Sequence, residues 1–453
     1  MNKFIDLRNK YKEFIYESSS YSINNDEFVA NYKFIIPGLE EFNPSITINK
    51  SIISNNELND DFLKYLVFNI GLAEMVSFYK LTCSPKIIIN AGYINNDQIN
   101  WFKKLLFNGL GEFFYKNNIS TTINDLVDVT CTKKEVSLEI PTYSGAGNLI
   151  PVGGGKDSCV SLEILSNEDN KCFVINPQDV QLKCCYASNY NDNDIIIVKR
   201  NIEKDKLVYL NNQGFLNGHI PISSIIAFIS YLCAYLSNRE NIILSNESSA
   251  NESTVIGSNI NHQYSKTLEF ENDFRYYIKK YFKININYFS LLRGLSEFEI
   301  ANIFSRYEKY FNIFKSCNLG SKNTNWNWCC NCPKCLFVYI ILSPKLYKDK
   351  LLNIFGEDLF ERKDLLNTFL EIIGESETKP FECVGTISEA KYAISLLINK
   401  LHKNNLPYLL DYYYKNYELY LDSSNILDYS SDNNIPDKYN KIILDLIKGD
   451  LND

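Results

Sequence analysis

The chain has 453 residues, and at about 100–200 residues per domain this predicts two to four domains, with three the first expectation. Hydrophobic residues make up 45% and charged residues 22%, proportions that exclude a disordered tail, a collagen-like fibre and a multi-span membrane protein. A formal net charge of −8 disfavours broad attachment to nucleic acid.

The opening residues, MNKFIDLRNKYKEF, contain no apolar run, so no signal peptide is expected and a cytoplasmic location is. Residues 1–135 carry no chemical motif and are expected to form an N-terminal α+β domain. Apolar spacing predicts a helix over Asn59–Tyr79, Lys86–Asn90 (KIIIN) reads as a short buried strand, and Trp101–Tyr115 reads as a second helix. From 136 the pattern changes. Val136–Pro141 reads as a strand. Leu149–Val152 reads as a strand that runs into GGGKDS at 153–158, with Cys159–Leu165 continuing as a helix. Lys171–Asn176, Asp194–Lys199 and Asn241–Ser245 follow as strands separated by helix-sized segments. That alternation predicts an α/β domain over 136–345 with a parallel sheet. Ile220–Ser237 carries no charge but contains Pro221 and several serines, and it is expected to be a buried helix rather than a membrane span. Residues 346–453 show helical periodicity and are expected to form a helical C-terminal region.

A strand, three glycines and a helix place backbone N–H groups at a helix N-terminus, where an anion can approach closely. Lys156 adds a positive charge, and Asp157 is a candidate ligand for a divalent metal shared with phosphates. The P-loop requires Lys followed by Ser or Thr, and here Asp follows. The dinucleotide fingerprint G-x-G-x-x-G is also absent from this turn.

Thirteen cysteines, an odd number, point to a reducing compartment; Cys83, Cys172 and Cys233 sit in apolar runs as small hydrophobes. Cys317, Cys329, Cys332 and Cys335 differ in being grouped. Their spacing can supply four thiolates to Zn²⁺ in a tetrahedron about 2.3 Å from each sulfur. Pro333 stiffens the knuckle, and Trp326 and Trp328 are placed to shield it. Cys330 competes with Cys329 for one ligand position. A closed site of four cysteines implies structural zinc, because catalytic zinc keeps a position open.

The GGGKDS turn resembles the pyrophosphate-binding SGGxDS motif of the N-type ATP pyrophosphatases (the PP-loop, adenine nucleotide alpha-hydrolase-like fold), with Gly153 in place of the first Ser. Within that superfamily, 7-cyano-7-deazaguanine synthase carries a comparable zinc site. GGGKDS, NGHIP at 217–221, NHQYSK at 261–266, RGLSE at 293–297, WCCNCPKC at 328–335 and PFECVGT at 380–386 together resemble one family more closely. It is the ATP-dependent UDP-N-acetyl-α-D-muramoyl-L-alanyl-L-glutamate epimerases of bacterial peptidoglycan synthesis. The resemblance spans about 150–386. It implies conversion of the terminal L-glutamate of UDP-MurNAc-L-Ala-L-Glu to D-glutamate, with ATP going to AMP and pyrophosphate in the presence of Mg²⁺. It also implies an upstream ligase that adds L-glutamate as metabolic partner, with neither nucleic acid nor membrane as a partner.

By the same resemblance Gly153, Gly154, Gly155, Lys156, Asp157 and Ser158 hold pyrophosphate and Mg²⁺, and Asn176 lies on the adenine side. Lys266, Arg275 and Arg293 are candidates for phosphates or glutamate carboxylates, where a cation is required. His219 is placed for the nucleotide pocket. Inversion needs proton exchange on both faces of Cα, and His262, Tyr264, Cys383 and Glu382 are the candidates. Two other activities fit parts of the pattern. An amide- or nitrile-forming ligase would capture an acyl-adenylate with an amine. A tRNA-thiolating enzyme would use Cys332 and Cys335 as a sulfur-carrying pair, but the acidic balance opposes RNA binding.

Overall fold

The structure, a computed structural model, describes residues 3–450 apart from 56, 256, 318, 321–327 and 425. It mixes helices and strands, as an α/β protein does, and divides into two compact units. The first contains Met1–Leu149, Ile196–Ile242 and Ile260–Tyr288; the second contains Ile150–Ile195, Ile243–Asn259 and Phe289–Asp453. Each unit is therefore assembled from three separate stretches of the chain.

In chain order the strands are β1 (Glu13–Ile23), β2 (Glu27–Ile36), β3 (Glu40–Phe42), β4 (Ser45–Asn49), β5 (Lys86–Ile89), β6 (Asp128–Cys131), β7 (Asn148–Pro151), β8 (Asn170–Ile175), β9 (Ile195–Asn201), β10 (Asn241–Leu244) and β11 (Asn287–Ser290). In the first unit the order is β9-β4-β2-β1-β5-β6, with β3 against β2. β1 pairs antiparallel with β2 and parallel with β5, while β4 runs antiparallel to both β2 and β9. Phe28, Ala30, Tyr32, Phe34 and Ile36 alternate inward along β2, the period of two expected when one face is buried. The helix Asp60–Glu74 packs on β1 and also against the helix Ile222–Leu236. Asn59 caps the first of these by accepting from Phe62 N at 2.9 Å. Among the described residues, Asp60–Tyr79 is one helical stretch long and apolar enough to cross a membrane, and 89% of its most apolar window is buried within the protein. Ile222–Leu236, inside the uncharged run at 220–237, is a buried helix as expected.

β7, β10 and β11 begin in the first unit and finish in the second, where the order is β11-β10-β7-β8. β7 and β10 are parallel. The core of the second unit is built on the helices Lys156–Ile164, Glu297–Phe304, Pro333–Leu342 and Ile387–Lys400, with Leu336, Phe337, Ile340 and Ile394 fully buried. Beyond Pro344 the described residues form helices joined by loops. One expected strand does not form: Val136–Pro141 has no ladder partner, and none of its residues is buried, Val136 being 81% exposed. Its apolar residues find no neighbouring strand or core to pack on, and β propensity counts for little without them.

Candidate active site

β7 delivers the chain into Gly153-Gly154-Gly155, and the helix Lys156–Ile164 begins directly after it. Gly154 has φ +82°, in the left-handed region, and a Cβ there would press on Val180 at 3.2 Å. Gly153 N donates to Ser158 Oγ at 2.9 Å, and the carbonyl of Gly154 accepts from Lys315 N at 3.0 Å. A Cβ on Gly155 would stand 2.8 Å from Ser316 Oγ. Tight packing on the far side thus favours glycine at these positions.

Lys156, only 2% exposed, pairs with both Asp157 and Glu297. Burial works against its charge, but the carboxylates of Asp157 and then Glu297 outweigh it and hold the ammonium protonated. Carboxylate oxygens of Asp157, Glu247 and Glu297 lie within 4.8 Å of one another, an oxygen donor set of the kind hard divalent cations use. Arg293, 1% exposed, donates to the carbonyl of Glu247 at 2.6 Å and to Ser290 Oγ at 3.2 Å. The main-chain N–H of Glu297 donates to Glu389 Oε1 at 2.6 Å. Asn176 follows β8 with φ 44°. Cys383 offers its carbonyl to Lys334 Nζ, and Glu382 is its half-buried neighbour.

The sulfurs of Cys317, Cys329, Cys332 and Cys335 lie within 4.8 Å of one another, with Cys329–Cys335 at 3.4 Å and Cys332–Cys335 at 3.5 Å. A tetrahedral zinc site with Zn–S near 2.3 Å has sulfur–sulfur edges of about 3.8 Å, so this donor set fits the ion. Hydrogen bonds from the Cys332 and Cys335 thiols, joined by the main-chain N–H groups of Cys329 and Gly320, hold the Cys317 thiol well below its usual range. Cys330, the rival for Cys329's place, turns away: with φ 53° it directs its thiol to the Phe355 carbonyl at 3.2 Å. Trp328 is buried against Phe314 and Phe355, whereas Trp326 lies outside the described residues.

In the first unit His262 Nδ1 bonds to Glu112, and His219 Nδ1 stands 3.7 Å from the same carboxylate. The two rings have centroids 4.2 Å apart. Tyr264 is buried and its hydroxyl reaches Asp273 at 3.5 Å, where Lys104 also pairs at 2.6 Å. Lys266 closes the short turn Tyr264–Lys266. Arg275 donates to the carbonyl of Tyr288 at 2.7 Å. The structure therefore joins Lys156 with Asp157, the four cysteines with one another, and His219 with His262. Tyr264 and Arg275 are directed to partners of their own. Sequence reading missed Glu112, Glu247, Glu297 and Glu389. Glu297 closes the RGLSE motif and was legible as a motif residue, but Glu112 sits in an ordinary amphipathic helical stretch with nothing to mark it.

Together these elements define a mixed α/β protein with a strand–glycine turn–helix at 148–164 and a four-cysteine cluster. The family model described as the MurL N-terminal domain matches residues 6–291, and that described as the MurL C-terminal domain matches residues 313–418. The chain belongs to the MurL family. A UDP-N-acetyl-alpha-D-muramoyl-L-alanyl-L-glutamate epimerase of Salinispora tropica is 32% identical over 391 residues, covering 85% of this chain and 84% of its own length. Proteins of the same name from a Micromonospora species and Xanthomonas oryzae pv. oryzae are 30% and 31% identical, covering 87% and 72% of this chain and 88% and 72% of their own lengths.

Proposed function

We propose that this protein is an isomerase that inverts the α-carbon of the terminal L-glutamate of UDP-MurNAc-L-Ala-L-Glu, with consumption of ATP, in peptidoglycan precursor synthesis. The observation that carries the reading is similarity along most of the chain to epimerases named for that dipeptide. The chemistry is coherent. Removing the α-proton beside a free carboxylate adds charge to an anion. Adenylation cancels the carboxylate charge and makes the enolate-type carbanion accessible, so a pyridoxal cofactor is not required. Protonation from the opposite face inverts the centre, and hydrolysis releases product and AMP.

The middle of the chain is read as a PP-loop ATP pyrophosphatase fold. The strand, glycine turn and helix at 148–164 and the enclosed Lys156 support that reading. The N–H groups of Gly153–Ser158 and Lys156 would hold the pyrophosphate and its leaving charge. Asp157 would hold Mg²⁺, with Glu247 and Glu297 near it. Arg293, Lys266 and Arg275 are assigned to anionic groups of the substrates, and His219 to the nucleotide. His262, Tyr264, Cys383 and Glu382 are assigned to proton exchange. Cys317, Cys329, Cys332 and Cys335 would hold a structural zinc ion. The protein would act in the cytoplasm after a ligase that adds L-glutamate to UDP-MurNAc-L-alanine.

The test is an incubation of purified protein with ATP, Mg²⁺ and UDP-MurNAc-L-Ala-L-Glu in D₂O. AMP together with D-glutamate deuterated at Cα is the expected result. AMP without deuterium or inversion would instead indicate a ligase lacking its amine, and absence of AMP would refute the ATP-dependent assignment.

A further inference from the structure

Two helix N-termini of the second unit meet at one side chain. Lys156 is the first residue of the helix Lys156–Ile164 and Glu297 the first of Glu297–Phe304, and the two helices pack on each other. Lys156 Nζ donates to Asp157 Oδ1 and to Glu297 Oε2, and the lysine and glutamate are enclosed to 2% and 1% side-chain exposure. Glu247, also buried, supplies a third carboxylate, and the three offer oxygens within 4.8 Å of one another. Main-chain bonds fix two of the three: Glu297 N donates to buried Glu389 at 2.6 Å, and the Glu247 carbonyl accepts from Arg293 at 2.6 Å. Two of three carboxylates that suit a hard divalent cation are thus the hydrogen-bond partners of a buried ammonium.

We propose that Lys156 and a divalent cation compete for Asp157 and Glu297, and that a phosphate group relieves the competition by taking over the ammonium. The inference rests on the assignments of Asp157 to Mg²⁺ and of Lys156 to phosphate made above, and it adds that cation and nucleotide bind as a linked pair. The ammonium already balances the two carboxylates as a fixed internal cation. A further positive charge on the same oxygens meets it at short range. In so enclosed a place little water stands between the two charges, so their repulsion is strong.

Lysine suits this exchange. Its ammonium is a compact charge with three donors on a flexible four-carbon stem. It follows directly on the glycine turn, where main-chain N–H groups at a helix N-terminus favour an anion. Phosphate oxygens at the turn offer the ammonium new acceptors, and the carboxylates it leaves keep the negative charge that hard cations require. By linkage, whatever the nucleotide does for cation affinity the cation does equally for nucleotide affinity.

The experiment titrates the full-length protein with Mn²⁺ in the absence of nucleotide and follows the free ion by electron paramagnetic resonance. The proteins are wild type, Lys156→Met, Lys156→Arg, Asp157→Asn, and K156M combined with D157N or with Glu297→Gln. Competition predicts that K156M binds Mn²⁺ at least about 10-fold more tightly than wild type. K156R, which keeps the charge, should show no gain, and D157N should remove it from K156M. With α,β-methylene-ATP added, wild type should retain Mn²⁺ through desalting and D157N should not. K156M leaves Glu297 enclosed without its partner; if that variant does not fold, K156M with E297Q removes charge and countercharge together and should still bind Mn²⁺ more tightly than wild type through Asp157 and Glu247. Equal affinity in wild type and the folded K156M variant, a gain shared by K156R, a gain that survives D157N, or wild-type retention unchanged by the analogue would each overturn the proposal. The D₂O incubation of wild type separates this from the functional reading. Turnover to AMP and D-glutamate without a gain in K156M overturns the competition alone, whereas the gain without turnover upholds the competition and overturns the epimerase reading.

Discussion

Lys156 concentrates the electrostatics of the second unit in one side chain. Its ammonium is enclosed with Asp157 and Glu297, and an enclosed charge stays stable only while its partners remain. Lys156→Ala leaves Glu297, itself 1% exposed, without that partner. The expected loss is about 3–5 kcal/mol in urea unfolding, and Glu297→Gln in the K156A background should recover part of it. If the double variant is as unstable as the single, the pair is not what holds this region. Among the cysteines the geometry makes a contrast between neighbours. Cys335→Ser should abolish one equivalent of tightly held zinc measured by elemental analysis. Cys330→Ser, whose thiol points to the Phe355 carbonyl, should retain it.

Two elements owe their placement to particular contacts. The helix Ile387–Lys400 starts at a capping box in which Thr386 Oγ accepts from Glu389 N at 3.2 Å, while Glu389 Oε2 accepts from Thr386 N at 2.6 Å. The other Glu389 oxygen accepts from the N–H of Glu297, so one carboxylate ties together the first turns of two helices. Thr386→Ala should cost about 1–2 kcal/mol in urea unfolding. In the helix Asp60–Glu74, Gly71 faces β1. Glycine to alanine ordinarily strengthens a helix by about 1 kcal/mol. At this position the added Cβ would fall on the hydroxyl and ring of buried Tyr16 and lie 2.9 Å from Tyr32. Overpacking of about 1–3 kcal/mol should therefore win, and Gly71→Ala should lower the melting temperature.

At the scale of the whole molecule, acid is expected to destabilise the protein in two overlapping steps. His219 has a folded pKa of about 4 against 6.5, so the unfolded chain binds its proton first. Stability is therefore full above pH 6.5 and falls as pH drops towards 4. Burial works against ionised Glu112, but bonds from His262 and Lys116 hold it at about 2 against 4.5, and that contribution is lost between pH 4.5 and 2. Glu299 acts oppositely: burial raises it to about 7, so the cost of its charge disappears as pH falls from 7 towards 4.5. The comparison of wild type with His219→Asn isolates the histidine. Urea midpoints between pH 7 and 5 should fall less steeply in the variant, and parallel curves would contradict the assignment.

Local pattern determined a great deal of this protein. The strands at 86–89, 148–151, 170–175, 195–201 and 241–244 and the buried helix within 220–237 were legible, because apolar runs and turn residues are properties of neighbours in the chain. The glycine turn and the four-cysteine spacing were legible for the same reason. Val136–Pro141 shows the limit: its residues have a strand's pattern but no partner strand. Only the tertiary structure decided that Cys329 rather than Cys330 joins the cluster, since the backbone at φ 53° turns the second thiol away. It also decided that Glu297 meets Lys156 and that Glu112 meets His262 across 150 residues of chain. Carboxylates in helices are ordinarily solvated, so sequence alone gives no sign of which will be buried against a cation or an imidazole; that depends on which distant segments the fold brings together.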